Sequence, residues 1–83
     1  MGMETGYIFL NLKPGSKKDA LTKIKDVKGV KEARLVIGIF DAIAKIEGGT
    51  IEELEEIYFN EIDKIADITN SRLHLVACPR SRK

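Results

Sequence analysis

Reactive side chains stand without company in this chain. His74 is the only histidine and Cys78 the only cysteine, so there is neither a second imidazole at metal-ligand spacing nor a CxxC pair, and no intrachain disulfide is possible. Catalysis by a nucleophile, a base and an orienting group would have to run through His74 alone. No Gly-rich phosphate loop, G-x-S-x-G elbow or HExxH helix occurs. The expectation is a non-enzymatic protein with no catalytic residue, no metal site and no cofactor. His74 then reads as a strand histidine near a surface, and Cys78 as a small hydrophobe. One stretch does invite a ligand. Val36-Ile37-Gly38-Ile39-Phe40-Asp41 sets a tight Gly-x-x-Asp turn between two β-branched runs, which suggests a small-molecule-binding loop rather than a plain hairpin.

The elements that position this turn follow from the apolar pattern. Tyr7 to Lys13 reads as a first strand, with Ile8, Leu10 and Leu12 on one face and Tyr7, Phe9 and Asn11 on the other. Pro14-Gly15 ends it. Ser16, with Asp19 three residues on, makes a capping-box-like start to a helix whose Ala20, Leu21, Ile24 and Val27 recur at helical spacing until Gly29 stops it. Val30 to Ile37 reads as a second strand and Phe40 to Glu47 as a third, joined at Gly38-Ile39 as an antiparallel hairpin. Thr50 with Glu53 opens a second helix that runs to about Ala66, and Leu73 to Ala77 reads as a fourth strand. The order strand, helix, strand, strand, helix, strand is the split-βαβ, ferredoxin-like α+β arrangement: a four-stranded antiparallel sheet with both helices on one face.

Size and charge narrow the partners. The 83 residues make one domain, and a chain this short buries only about 60–65% of the surface its unfolded form exposes, so association is expected. Lys plus Arg number 14 against 13 for Asp plus Glu, and a net charge of +1 selects neither nucleic acid nor an anionic membrane. No apolar run approaches the roughly 20 residues that span a bilayer, and the start lacks the pattern of a signal peptide, so the chain reads as cytoplasmic. The absence of Gln beside abundant Lys, Glu and Ile resembles thermophile usage.

Alternation leaves Tyr7, Phe9, Val36 and Ile43 on the helix-free face of the sheet, among Asn11, Arg34, Asp41 and Lys45. A second copy covering this face through a two-fold axis predicts a homodimer built sheet against sheet. The helices are oppositely charged: Lys17, Lys18, Lys23, Lys25 and Lys28 on the first, Glu52, Glu53, Glu55, Glu56, Glu61 and Asp63 on the second. Both runs read as solvated faces. Other proteins of this topology fit less well. Acylphosphatases carry an Arg in the loop after the first strand, where this chain has Lys13-Pro14-Gly15-Ser16-Lys17. RNA-recognition modules stack bases on aromatics of both central strands, and only Tyr7 and Phe9 are placed for that. The basic end Pro79-Arg80-Ser81-Arg82-Lys83 adds little to either reading.

From Tyr7 to about Ala77 the chain resembles the effector-binding and oligomerisation (RAM) domain of the Lrp/AsnC family of transcription regulators. The likeness is carried by the first strand with Lys13-Pro14-Gly15, by Ile24 to Ala33, by Val36 to Ile46, and by Ile51-Glu52-Glu53-Leu54-Glu55. The family's regulators also carry an N-terminal helix-turn-helix, for which there is no room before Tyr7, so the chain looks like a stand-alone version over residues 1–83 without direct sequence-specific DNA binding. The resemblance implies dimers joined into rings, commonly octamers, with an amino acid between neighbouring dimers, and co-assembly with full-length relatives.

It also assigns roles. Gly38 would let the backbone approach the ligand, Phe40 would shape the pocket wall, and Asp41 would accept hydrogen bonds from an ammonium group or fix the turn. Each has a plainer alternative: a positive φ at Gly38, a core position for Phe40, and capping of its own turn's amides by Asp41. Of the two hydroxyl residues common on the family's last strand, Ser71 would keep one, and Leu73 departs from the other. Asp67 stands where Gly is common. These departures point to an aliphatic effector, or to a structural dimerisation adaptor with no ligand.

Overall fold

The computed structural model describes residues 3–76. Cys78 and the basic end Pro79–Lys83 lie outside the described residues. The elements are β1 (Glu4–Leu12), α1 (Lys17–Lys25), β2 (Val30–Leu35), β3 (Ala42–Gly48), α2 (Ile51–Glu56), a π-helical continuation over Ile57–Ile62, and β4 (Ile68–Leu75). Every neighbouring pair in the sheet is antiparallel, in the order β2-β3-β1-β4. This is the ferredoxin-like α+β arrangement expected from the element order. No helix among the described residues is long and apolar enough to cross a membrane.

The core lies between the sheet and the helices because period 2 in the strands meets helical spacing across it. Ile8, Leu10 and Leu12 of β1 and Ala42, Ala44 and Ile46 of β3 are buried against Ala20 and Ile24 of α1, Leu54 of α2 and Ile62 beyond it. Small alanines on β2 and β3 (Ala33, Ala42, Ala44) let the helices sit close. Gly29 ends the α1 connection with φ +98°, and a Cβ there would lie 2.5 Å from Ile57 Cδ1. The positive φ favours glycine there, and a methyl would also have to displace the end of the Ile57 side chain.

Several boundaries differ from the sequence reading, each for a physical reason. β1 begins at Glu4 rather than Tyr7, because Glu4, Thr5 and Gly6 pair with Gly48, Glu47 and Ile46. The Ser16 side chain makes no cap bond. By contrast Thr50 Oγ1 accepts the Glu53 N–H at 3.1 Å, the cap expected of that pair, while the Glu53 carboxylate reaches one residue further back than a capping box does, to the Gly49 N–H. The second helix stops at Ile62, not Ala66. Its inward residues Leu54, Tyr58 and Ile62 are four apart, which an α-helix would carry about 40° further round at each step; the wider π turn takes up that drift.

The predicted two-residue hairpin at Gly38-Ile39 is not formed. β2 ends at Leu35 and β3 begins at Ala42, so six residues connect them, from Val36 to Asp41. Val36 and Asp41 therefore belong to this loop, not to the outer sheet face. β4 starts at Ile68, five residues before Leu73, because its first half pairs with Asn11, Leu10 and Phe9 although it carries few apolar side chains.

Candidate functional site

The β2–β3 loop is tied down by contacts that come from β1, far away in sequence. Asp41 N–H donates to Leu10 O at 2.8 Å, and Asp41 Oδ2 accepts the Leu12 N–H at 2.8 Å. A side-chain oxygen thus takes the place of a strand carbonyl where the β1–β3 ladder stops. Lys17 Nζ at the start of α1 lies 3.4 Å from Asp41 Oδ1. The Leu12 hydrogen bond is the chief cause of a carboxyl held below its usual range; partial burial works against this, and Lys17 and Asn11 add to the lowering. Val36 N–H donates to Asp41 O at 2.8 Å and closes the base of the loop.

The middle of the loop is held by Asn11, whose Nδ2 donates to Ile39 O at 2.9 Å. Asn11 is itself braced by β4: Asn70 Nδ2 donates to Asn11 Oδ1 at 3.3 Å and Thr69 Oγ1 to Asn11 O at 3.2 Å. Between these anchors Gly38 has φ +146°, and a Cβ there would meet nothing within 4 Å. Its glycine answers a conformational demand alone. Ile37 and Ile39 on either side are 104% and 87% exposed, so two large apolar side chains flank an open stretch of backbone.

Phe40 turns back onto the outer sheet face. Its ring lies 5.3 Å from Phe9, and Phe9 meets His74 edge-on at 5.0 Å. With Tyr7, Leu75 and Val76 these rings line a shallow, mainly apolar depression of about 360 Å³. Across this face run Arg34, Ile43, Phe9 and Arg72 in one row and Glu32, Lys45, Tyr7 and His74 in the next.

Of the sequence-predicted residues, Gly38, Phe40 and Asp41 thus come together in one loop. Ser71 does not join them on the outer face. It pairs with Leu10, whose side chain points into the core, and its hydroxyl lies 2.8 Å from Tyr58 Oη on the helix side, where the phenol also donates to Ser71 O at 3.2 Å. Leu73 faces the same way, its Cδ1 against Gly6. Phe40 sits over the sheet's outer face rather than in the core, and Asp41 caps a β1 amide rather than amides of its own turn. Sequence reasoning missed Lys17, Tyr58 and the bracing part of Asn11. Only Asn11 carried a signal, as the polar end of the outward row of β1. No group of three His, Cys, Asp or Glu able to hold a metal occurs among the described residues.

The chain is thus a ferredoxin-like domain with an anchored, glycine-bearing loop at the edge of a partly apolar sheet face. The family model described as the Lrp/AsnC ligand binding domain matches residues 5–78, and the chain belongs to that family. Solved structures agree. FFRP-DM1 superposes with a TM-score of 0.84 at 26% identity, over 89% of this chain and 99% of that one. AsnC of E. coli gives 0.82 at 24%, over 96% of this chain and 55% of that one. The transcriptional regulator NMB0573 from Neisseria meningitidis, in complex with L-Met, gives 0.80 at 7%, over 95% and 53%; these last two likenesses show the fold. No curated protein matches the sequence. The family is one of effector-binding domains of transcription regulators and is not catalytic.

Proposed function

We propose that this chain is a non-enzymatic amino-acid sensor and assembly module that works in the cytoplasm as a single domain over residues 1–83 and modulates full-length Lrp/AsnC regulators by co-assembly. The observation that carries this reading is the β2–β3 loop. Asp41 and Asn11 fix it to β1 before any ligand arrives, and Gly38 leaves its backbone open to one. A preorganised loop loses little freedom on binding, which favours a small ligand. Gly38, Phe40 and Asp41 make up the proposed site; Ser71, turned to Tyr58 on the helix side of its own copy, would join such a site only from a neighbouring copy. The NMB0573 complex with L-Met supports an amino acid as the effector. FFRP-DM1, matched over 99% of its length, supports a single-domain protein.

Assembly begins with the outer sheet face, where the half-buried Tyr7, Phe9 and Ile43 lie. A second copy covers this face through a two-fold axis, and dimers join further into a ring, an octamer being the size the family resemblance favours. A second reading is a structural adaptor with no ligand. Two features favour it: Leu73 stands where the family resemblance would place a second hydroxyl, and both Asp41 oxygens already have partners in Leu12 and Lys17.

Native mass spectrometry with and without a pool of the twenty amino acids separates the two. Even-numbered assemblies that gain discrete amino-acid masses support the sensor and name the effector. Assemblies that gain no mass support the adaptor, and a bare monomer overturns the dimer on which both depend.

A further inference from the structure

β2 is an edge strand, with only β3 beside it in the sheet. Both ends of the β2–β3 ladder show which of its backbone groups are used. Glu47 N–H donates to Gly29 O at 3.0 Å at one end, and Val36 N–H donates to Asp41 O at 2.8 Å at the other. Hydrogen-bonded pairs alternate along an antiparallel ladder, so Lys45 and Ile43, which lie between, also turn their backbone groups to β2, where Glu32 and Arg34 are their partners. The N–H and C=O of Ala33 and Leu35 therefore point the other way, out of the sheet. Among the described residues no hydrogen bond from another element reaches them. Such a row is a template for a further strand.

The side chains beside this row are self-complementary. Glu32 and Arg34 flank Ala33 on the outer face, with side chains 59% and 76% exposed, and within one copy they make only a loose pair at 3.9 Å. A bulge between Val30 and Glu32 confines the regular stretch to Glu32–Leu35. An added antiparallel strand must set outward backbone groups against outward ones, and a second copy of β2 can do so about a two-fold axis at only a few points. Centred on Glu32 or on Arg34, the pairing places carboxylate on carboxylate or guanidinium on guanidinium. Centred on Leu35, it runs past the end of β2 into the loop. Centred on Ala33, it places Glu32 opposite Arg34 twice over.

We propose that the β2 edge is a self-association site, at which a second copy of this chain adds its own β2 antiparallel about a two-fold axis centred on Ala33. Ala33 then exchanges both backbone hydrogen bonds with Ala33 of the second copy. Glu32 and Arg34 take the closer, non-hydrogen-bonded sites, about 4.5 Å apart at Cα, each directly opposite its counter-charge. Leu35, 40% exposed at the rim of the core, is covered in the same step. The opposite edge offers no such match. Val76 N–H donates to Thr5 O, so by the same alternation Ser71 and Leu73 face outward on β4; a pairing centred on Leu73 sets Arg72 against His74, and β4 carries no carboxylate. The β2 edge is distinct from the outer sheet face, so a chain using both extends beyond a dimer. Resting on two exposed ion pairs and a short run of backbone bonds, the contact is weak and strongest at low ionic strength.

Sedimentation velocity of the full chain over a concentration series at about 0.01 M salt tests this, where the screening length is about 30 Å. Glu32→Arg, Arg34→Glu and the double variant Glu32→Arg/Arg34→Glu accompany it, each checked for folding by circular dichroism. The native chain grows with concentration, and either single variant alone sets like charges across the axis and loses that step. The double variant regains it, as does an equimolar mixture of the two single variants, because paired arginines then meet paired glutamates. Amide hydrogen exchange supplies a second readout: the Ala33 N–H slows in the associated native chain and not in the single variants, while the Leu73 N–H on the opposite edge behaves alike in all. A native chain that does not grow, a single variant that grows as the native chain does, or a double variant and mixture that stay small overturns the proposal. So does protection at Leu73 in place of Ala33. At about 1 M salt, where the screening length falls to about 3 Å, the edge step recedes and the remaining species reports on the sheet-to-sheet dimer. Phe9→Asp removes that dimer and leaves the edge step at low salt, so the two contacts fail separately.

Discussion

Replacing Gly38 with Ala isolates the conformational demand of the β2–β3 loop. The added methyl meets nothing within 4 Å, so no packing is lost or strained, and the whole effect arises from φ +146°, a backbone region that L side chains rarely adopt. Holding a residue with a side chain in such a region costs about 1–3 kcal/mol. For a domain of this size each kcal/mol lowers Tm by about 4–8 °C, so Gly38→Ala should melt some 4–24 °C below the native chain. If the loop instead relaxes to avoid the strain, Tm changes less and the Asn11–Ile39 anchor breaks, which the Asn11 side-chain amide resonances would register. Gly29→Ala provides the comparison. Its φ of +98° brings a similar strain, and its methyl would also sit 2.5 Å from Ile57 Cδ1, adding about 1–3 kcal/mol of overpacking. The assay is thermal and urea denaturation of both variants beside the native chain. A Gly38→Ala protein with native Tm and native Asn11 resonances would refute the reasoning, as would one less stable than Gly29→Ala.

Three further outcomes are expected. The Asp41 carboxyl is depressed in the folded chain, so its stabilisation is complete above the unfolded value of about 3.9 and is lost as pH falls through the lower folded value; in denaturation series from neutral pH to about pH 2, the gap between native chain and Asp41→Asn should narrow only at the acid end. Tyr58→Phe removes both hydrogen bonds to Ser71 and should cost about 0.5–1.5 kcal/mol in urea denaturation. If Ser71 serves an effector, Ser71→Ala should also lose any amino-acid-induced rise in Tm that Tyr58→Phe retains. Phe9→Asp places a charge at the centre of the outer face beside Ile43 and Arg72, and if the proposed sheet-to-sheet dimer forms, size-exclusion chromatography in high salt should show it replaced by monomer.

Where the chain's own pattern dominates, the fold was legible. β1 alternates cleanly from Tyr7 to Leu12 because it is central in the sheet, with one face in the core and the other outward. Thr50 accepts the N–H of Glu53 three residues on, a local pairing that any helix start offers, so that cap was readable. β4 was only half legible. It is an edge strand whose outward Asn70, Arg72 and His74 remain exposed, so little of it needs to be apolar and its first residues look like loop.

The candidate site divides along the same line. That Gly38, Phe40 and Asp41 belong to one turn follows from their adjacency, and so does the need for glycine within it. That the turn is a six-residue loop follows from contacts 28 and 29 residues apart in sequence, Asn11 to Ile39 and Leu12 to Asp41. Val36, Ile37, Ile39 and Phe40 all favour strand by themselves. Two β1 groups, an amide in search of an acceptor and a side chain in search of a carbonyl, draw the segment out of the ladder. No local pattern records such partners. The same holds for Ser71, whose parity on β4 faces it to Tyr58 once Leu10 has set the register. Local residue types determined the elements, the glycine turn and the family likeness; the pairing of β1 with its neighbours decided where the loop begins, which way each candidate side chain points and which of them meet, because backbone hydrogen bonds between distant strands outweigh local preference once the sheet forms.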